Sequence, residues 1–424
     1  MPKLTCTFIW FTVALLSALS WARAESLVFL STQMQPVEEA QKARDILLKG
    51  APDTSFVALE PAAFAQRVKA DLADGKHTIG LVGALHGQLQ PLASVGALDA
   101  LDDILDKVKG AAIPTDLMQL GKFGGAKQLY IPWMQATYVL VVKKDALSFL
   151  PRGADIDSLS YDQLLQWAKA IADKTGQRRL GFPAGTKGLF ARFLQGYLYP
   201  SYTGSMVAEF RSAAAEKMWT DFTALWASVN PNSIRYDFMQ DPLQAGEVWI
   251  AWDHISRLRD ALESSPDNYQ VVPPPSGPQG RAYMPIVVGL GIPKGAPDRS
   301  LAAAVIAHLL RSEIQSLTAK ETGFLPVVEA PADLSPGIKM LAEGVGKTQS
   351  AKDALLVSPP VGIGDKEAEF NKVFTDTFQR IVLQGEPVRA TLDAQATVMR
   401  DVIEATKAPC WAPDKSSDGP CIIK

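Results

Sequence analysis

The residues best suited to chemistry cluster in one stretch, Gln244-Ala-Gly-Glu-Val-Trp-Ile-Ala-Trp-Asp-His-Ile-Ser-Arg-Leu258. Trp252 offers a flat apolar face and Asp253 a charged hydrogen-bond acceptor, a pair suited to holding a polar molecule without covalent chemistry. Residues 248–251 ahead of them are apolar and rich in strand formers, while Ile255, Leu258 and Leu262 follow at helical spacing. A buried strand is therefore expected to end at Trp252-Asp253, with a helix starting at once. In an open α/β sheet, ligands bind in the crevice at the carboxyl ends of the strands, which puts Trp252 on a cleft surface; the alternative, the commoner one for a lone Trp, is a core position. Trp249, inside the strand, is expected to be core.

Catalytic signatures fail on inspection. Gly344-Val-Gly-Lys-Thr348 approaches a phosphate loop, but Leu341 stands where the first glycine belongs. Gly289-Leu-Gly-Ile-Pro-Lys-Gly295 is one residue too long for a dinucleotide fingerprint, and no Gly-x-Ser-x-Gly elbow occurs. His77, His86, His254 and His308 lack metal-ligand spacing. The reading is of a non-enzyme that needs no cofactor and no metal.

The termini bound the compartment. Residues 1–24 read as a signal peptide: Lys3, an apolar core from Phe8 to Leu19, and the small-x-small site Ala22-Arg23-Ala24. Cleavage leaves 400 residues, enough for two large domains, with 40 basic residues against 45 acidic ones. No basic stripe points to nucleic acid. The expected product is exported and periplasmic, with no membrane insertion of the mature chain. Cys410 and Cys421 are then the remaining cysteines, and an oxidising compartment favours their pairing as a staple for the C-terminal tail.

The elements that must position these residues alternate. Residues 26–32, 56–59 and 78–82 read as strands; helices follow the first two, the second opening at Pro61. That order means a doubly wound α/β sheet. A helix with Leu164, Trp167, Ala168 and Ile171 on one face ends at Gly176. Trp219, Phe222 and Trp226 share a helical face and read as core, and residues 366–405 form two helices split at 384–387.

Many weak motifs in the same order resemble one family, the maltose-binding-like group of family 1 extracellular solute-binding proteins of ABC importers. Gly96-Ala-Leu-Asp-Ala-Leu-Asp102 matches its Gly-x-Leu-x-x-Leu-Asp turn, and Thr322-Gly-Phe-Leu-Pro326 its Gly-x-x-Pro exit. Tyr283-Met-Pro-Ile-Val-Val-Gly-Leu-Gly-Ile-Pro-Lys294 resembles its returning strand, whereas Gly75-Lys-His-Thr-Ile-Gly80 lacks its usual Asp. The resemblance implies a two-lobed α/β periplasmic-binding-protein fold (type II, Venus-flytrap). It implies a first lobe of residues 25–134 plus 285–328, a second of 135–284 plus 329–405, and a tail of 406–424. Three crossings are expected near 132–138, 281–287 and 326–333. A crossing exposes side chains to the ligand, so Trp133, Met134 and Tyr138 join Trp252 as expected contacts. A sugar suits such a cleft: Trp252, Trp133, Tyr138 and Tyr283 would stack on its C–H faces, and Asp253, Gln33 and Gln35 would orient its hydroxyls. The implied partners are a mono- or oligosaccharide and the permease subunits of an importer, the protein itself acting as a monomer. A polyamine, glycerol phosphate or other small solute, or a sensor partner, is the alternative.

Overall fold

The computed structural model describes residues 26–35, 37–328 and 334–424. The expected signal peptide lies outside them. Strands β1 (Leu27–Ser31), β2 (Thr54–Ala58) and β3 (Ile79–Leu85) run parallel, with Phe29 opposite Phe56 on one side and Leu81 on the other. The sheet continues through β4 (Ile131–Ala136), β10 (Ile286–Gly291) and β11 (Leu325–Pro326) in the order β11-β4-β10-β3-β1-β2. It is mixed rather than all parallel. β10 re-enters from the edge at which β1–β4 end, so it must run against them, pairing Val288 with both Leu85 and Met134. β1, β3 and β4 are buried along almost their whole length, as strands covered on both faces are.

A second sheet, in the order β6-β7-β5-β8, holds β5 (Tyr138–Lys143), β6 (Leu180–Gly181), β7 (Ile250–His254) and β8 (Tyr269–Val272). β9 (Arg281–Tyr283) pairs instead with β12 (Ala354–Leu356). Helix Tyr161–Thr175 packs Leu164, Trp167, Ala168 and Ile171 inward. It starts at a Ser160–Gln163 capping box and stops at Gly176, whose φ of 71° an ordinary side chain resists. Trp219 and Phe222 are core, as their spacing implied, while Trp226 is half-buried against Phe182 and Phe378. The apolar repeat of residues 301–317 lies on two helices, Arg299–Leu309 and Ser312–Thr322.

The chain passes between the sheets at Thr137, between β4 and β5, and again at Met284-Pro285, between β9 and β10. These passages are tied side by side. Thr137 Oγ1 donates to the Met284 carbonyl at 2.9 Å and lies 3.1 Å from the Tyr197 hydroxyl. That hydroxyl donates to the Tyr138 carbonyl at 3.1 Å and accepts from the Tyr138 N–H at 3.2 Å. The Thr137 carbonyl accepts from Ile255 N–H at 3.0 Å. A third passage follows β11, with residues 329–333 outside those described. Beyond it, helix Pro336–Gln349 packs against β8 and sends Gln349 to Gln135 of β4 at 3.3 Å. Tyr197→Phe leaves buried backbone groups of Tyr138 and Thr137 Oγ1 short of a partner. It should lower unfolding free energy by about 1–3 kcal/mol in urea denaturation.

Candidate functional site

Both sheets offer the same edge to the space between them. β1, β2, β3 and β4 end there and β10 begins; from the other side β6, β7 and β8 end and β5 begins. Carboxyl ends of two sheets thus face one cleft. On the first lobe β1 leads into residues 32–35. Thr32 Oγ1 donates to Gln88 Oε1 at 2.6 Å, Gln33 Nε2 to Thr32 Oγ1 at 3.0 Å, and Gln35 Nε2 to the Thr32 carbonyl at 2.8 Å. Met34 sits among them at a left-handed φ of 59°, uncommon for a long side chain.

Gln88 belongs to helix His86–Ser94, and this helix opens onto a cavity of about 450 Å³. The first lobe contributes His86, Gln90, Asp116, Gln119 and Phe123 to its lining; the opposite wall is Leu356, Ser358, Val361, Trp411 and Asp414. Gly87 lets the walls approach, since a Cβ there would lie 3.2 Å from the Pro360 carbonyl oxygen. His86 Nδ1 meets Tyr130 Oη at 2.9 Å, and its ring lies 4.7 Å from that of Phe123. Burial pulls the imidazole pKa down to about 4, so His86 is neutral at physiological pH. Tyr283 Oη donates to Asp116 Oδ2 at 3.0 Å, joining β9 to helix Thr115–Leu120 across the cleft. Burial, and then the charge of Asp116, raise the Tyr283 phenol well above its ordinary pKa. Among the described residues the lining carries no Lys or Arg.

The expected contacts separate into two groups. Tyr283 stands at this cavity through Asp116, and Gln33 and Gln35 are one helix away through Thr32 and Gln88. Tyr138 lies at the crossing, its ring edge-on to His254 at 5.2 Å. Tyr138 and Tyr283 are themselves largely buried, and the other four are sealed in the cores, which corrects the placement expected of them. β7 runs one residue past the expected end at Trp252-Asp253, because Asp253 and His254 pair with Val139 and Tyr138. Trp252 therefore lies within the strand, 1% exposed, stacked on Tyr138 at 4.8 Å and 5° and edge-on to Phe193 and Tyr197. Trp249 precedes the strand and is half-buried under the Arg179 guanidinium, 4.4 Å away. Trp252 is thus core, and Trp249 is partly exposed at the end of β7 away from the cleft.

Asp253 is fully buried, and its oxygens accept from Met239 N–H at 2.9 Å and His254 N–H at 2.7 Å. It thus ties the turn before helix Gln240–Gln244 to β7. Trp133 and Met134 are sealed in the first-lobe core, Trp133 lying 5.6 Å from Phe29. Sequence reasoning passed over His86, Asp116, Phe123 and Trp411. His86 was legible only as a polar residue just past a strand; the other three come from segments brought together by tertiary packing.

The fold and the sequence point the same way when set beside known proteins. Residues 40–316 match the model of the bacterial extracellular solute-binding protein family. The chain belongs to that family. Solute-binding proteins of known structure share its two-lobed architecture. The sugar-binding protein MalE from Xanthomonas citri aligns with a TM-score of 0.72 at 15% identity, over 90% of this chain and 98% of that one. The GacH receptor of Streptomyces glaucescens, solved unliganded and with acarbose, aligns at 0.62 and 17%, over 90% and 99%. UgpB from Mycobacterium tuberculosis, in complex with glycerophosphocholine, aligns at 0.64 and 16%, over 90% and 98%. No curated protein sequence matches significantly. Among the described residues no helix is long and apolar enough to cross a membrane.

Two outcomes follow for this solute-binding protein. Trp252→Ala should cost about 3–5 kcal/mol of stability as a large core truncation. Trp249→Ala should cost about 1 kcal/mol, the scale of a partly exposed cation–π contact; paired urea melts compare them. Burial raises the Asp253 carboxyl from its ordinary 3.8 to about 6, with its two N–H donors opposing. Its contribution to stability is therefore full below pH 3.8 and is lost as pH rises through about 6. The stability difference between parent and Asp253→Asn should change between those two values and be flat outside them, measured as urea midpoints against pH.

Proposed function

We propose that the chain captures a sugar, mono- or oligosaccharide, in the cleft between its lobes and delivers it to the transmembrane subunits of an ABC importer. It does so as an exported, periplasmic monomer. The observation that carries the reading is the chemistry of the inter-lobe cavity. Its volume of about 450 Å³ lies in the range of small-molecule sites. Its walls mix rings, Phe123 and Trp411, with neutral planar polar groups, His86, Gln90 and Gln119. C–H faces pack on the former and hydroxyls bond to the latter.

Charge separates the rivals. An anionic phosphate calls for Arg or Lys, absent from the lining. A polyamine calls for free carboxylates. Asp414 is engaged by Ser205 and three backbone N–H groups, which leaves Asp116, with one oxygen accepting from Tyr283, as a single charge for a ligand that carries several. A neutral polyhydroxylated solute is what remains, and the neighbours described with sugar or acarbose support the same class. Of the expected contacts, Tyr283, Gln33 and Gln35 enter this proposal as ligand-facing groups, and Tyr138 as the ring that backs the crossing. Trp252, Asp253, Trp133 and Met134 enter it only as the packing behind them.

A thermal-shift screen with sugars, polyols, amines and phosphates tests the reading. A neutral sugar or polyol at one hundred times its Kd should stabilise the protein by about 2.7 kcal/mol. Stabilisation by a phosphate ester or polyamine, with none by any sugar or polyol, would refute it.

A further inference from the structure

We infer that the disulfide-closed C-terminal tail is the second lobe's wall of the ligand cavity, and that Trp411 is the aromatic surface on which the solute packs. The inference rests on the sugar reading above and narrows its two rings to the one that the tail supplies, since Trp252 is buried in the second-lobe core.

The tail is built as a fixed part of the second lobe. Helix Val388–Thr406 ends at Lys407, and the chain then turns back across the lobe. Asp414 collects Ser205 Oγ and the backbone N–H groups of Met206 (2.8 Å), Val207 (2.9 Å) and Ala208 (3.1 Å). Ser358 N–H donates to the Ala412 carbonyl at 2.9 Å, which joins the tail to the loop that forms the rest of that wall. At the far end Lys424 N–H donates to the Ala208 carbonyl, and Arg211 Nε to the Lys424 carbonyl, both at 2.9 Å. Every one of these partners belongs to the second lobe or the tail. A domain closure that brings the lobes together therefore carries the tail onto the first lobe as one body.

The disulfide fixes the position of Trp411. Cys410 is bonded to Cys421, itself buried in the second-lobe core, and Cys421 N–H donates to the Ala408 carbonyl at 2.8 Å. Trp411 follows immediately, its ring edge-on to Phe370 at 5.7 Å. It lines the cavity opposite His86 and Phe123 of the first lobe. Phe123 holds a left-handed φ of 48°, an uncommon conformation for a bulky residue. Two rings from different lobes thus frame one space, and the cross-link determines where one of them stands.

Isothermal titration of the parent, Trp411→Ala, Trp411→Tyr and the double variant Cys410→Ala/Cys421→Ala with maltose, D-mannitol, D-tagatose and acarbose tests this. Whichever of these binds the parent should bind Trp411→Ala about tenfold or more weakly, while Trp411→Tyr recovers most of the loss. The double variant should be intermediate. Equal affinity of parent and Trp411→Ala overturns the inference and leaves the sugar reading standing. Binding of none of the four to the parent counts against the sugar reading instead. Hydrogen exchange of residues 86–90 and 116–123 then decides the tail: faster exchange in the double variant than in the parent supports it as the wall, and equal exchange overturns it.

Discussion

The structure depends on a knot of hydrogen bonds where the chain twice crosses between its sheets. Thr137 and Met284 lie side by side because β4 and β10 are neighbours in the first sheet, and the Tyr197 hydroxyl from the second lobe closes the group. Burial holds that phenol well above its ordinary pKa, so it stays protonated and able to donate. This constraint sets the direction of everything else. β10 must run antiparallel to β1–β4, and β5 must start where β4 ends. The carboxyl ends of the remaining strands are thereby turned toward one another, and a cleft results.

What surrounds the knot is apolar and aromatic on the second-lobe side. Tyr138, Trp252, Tyr197 and Phe193 pack as a single group directly behind the cleft edge. Cross-strand geometry explains it: Tyr138 pairs with His254 and Leu140 with Trp252, so Tyr138 and Trp252 are diagonal neighbours on one face of the β5–β7 pair. Such a cluster gives the crossing a stiff backing. The groups left for a solute are the ones on loops and helix starts just beyond it.

Much of the architecture was legible in sequence because it rests on periodicity and punctuation. The continuous apolar runs of β1 and β3, the Pro61 helix start and the Gly176 helix stop all express local physics. The site was less legible. Trp252 was misplaced because strand ends are set by pairing partners far along the chain: Val139 and Tyr138 extend β7 through two polar residues that look like a turn. Trp133 and Met134 were read as exposed at a crossing that begins only at Thr137. Trp411 was invisible because its importance comes from a cross-link and from Ser358 and Asp414, which bring a tail to a cavity formed mostly by segments more than fifty residues away. Tyr283 was expected near the cleft from its place before a returning strand, while its partner Asp116 has no sequence signature at all.

The central claim is that one neutral solute sits between helix His86–Ser94 and the C-terminal tail. A crystal structure grown with a sugar or polyol that raises the melting temperature tests it most directly. The account predicts density for that molecule in contact with His86 or Asp116 from one lobe and with Ser358 or Trp411 from the other. Density confined to the separate groove between Gly185–Arg192 and helix Glu367–Phe378 would contradict it.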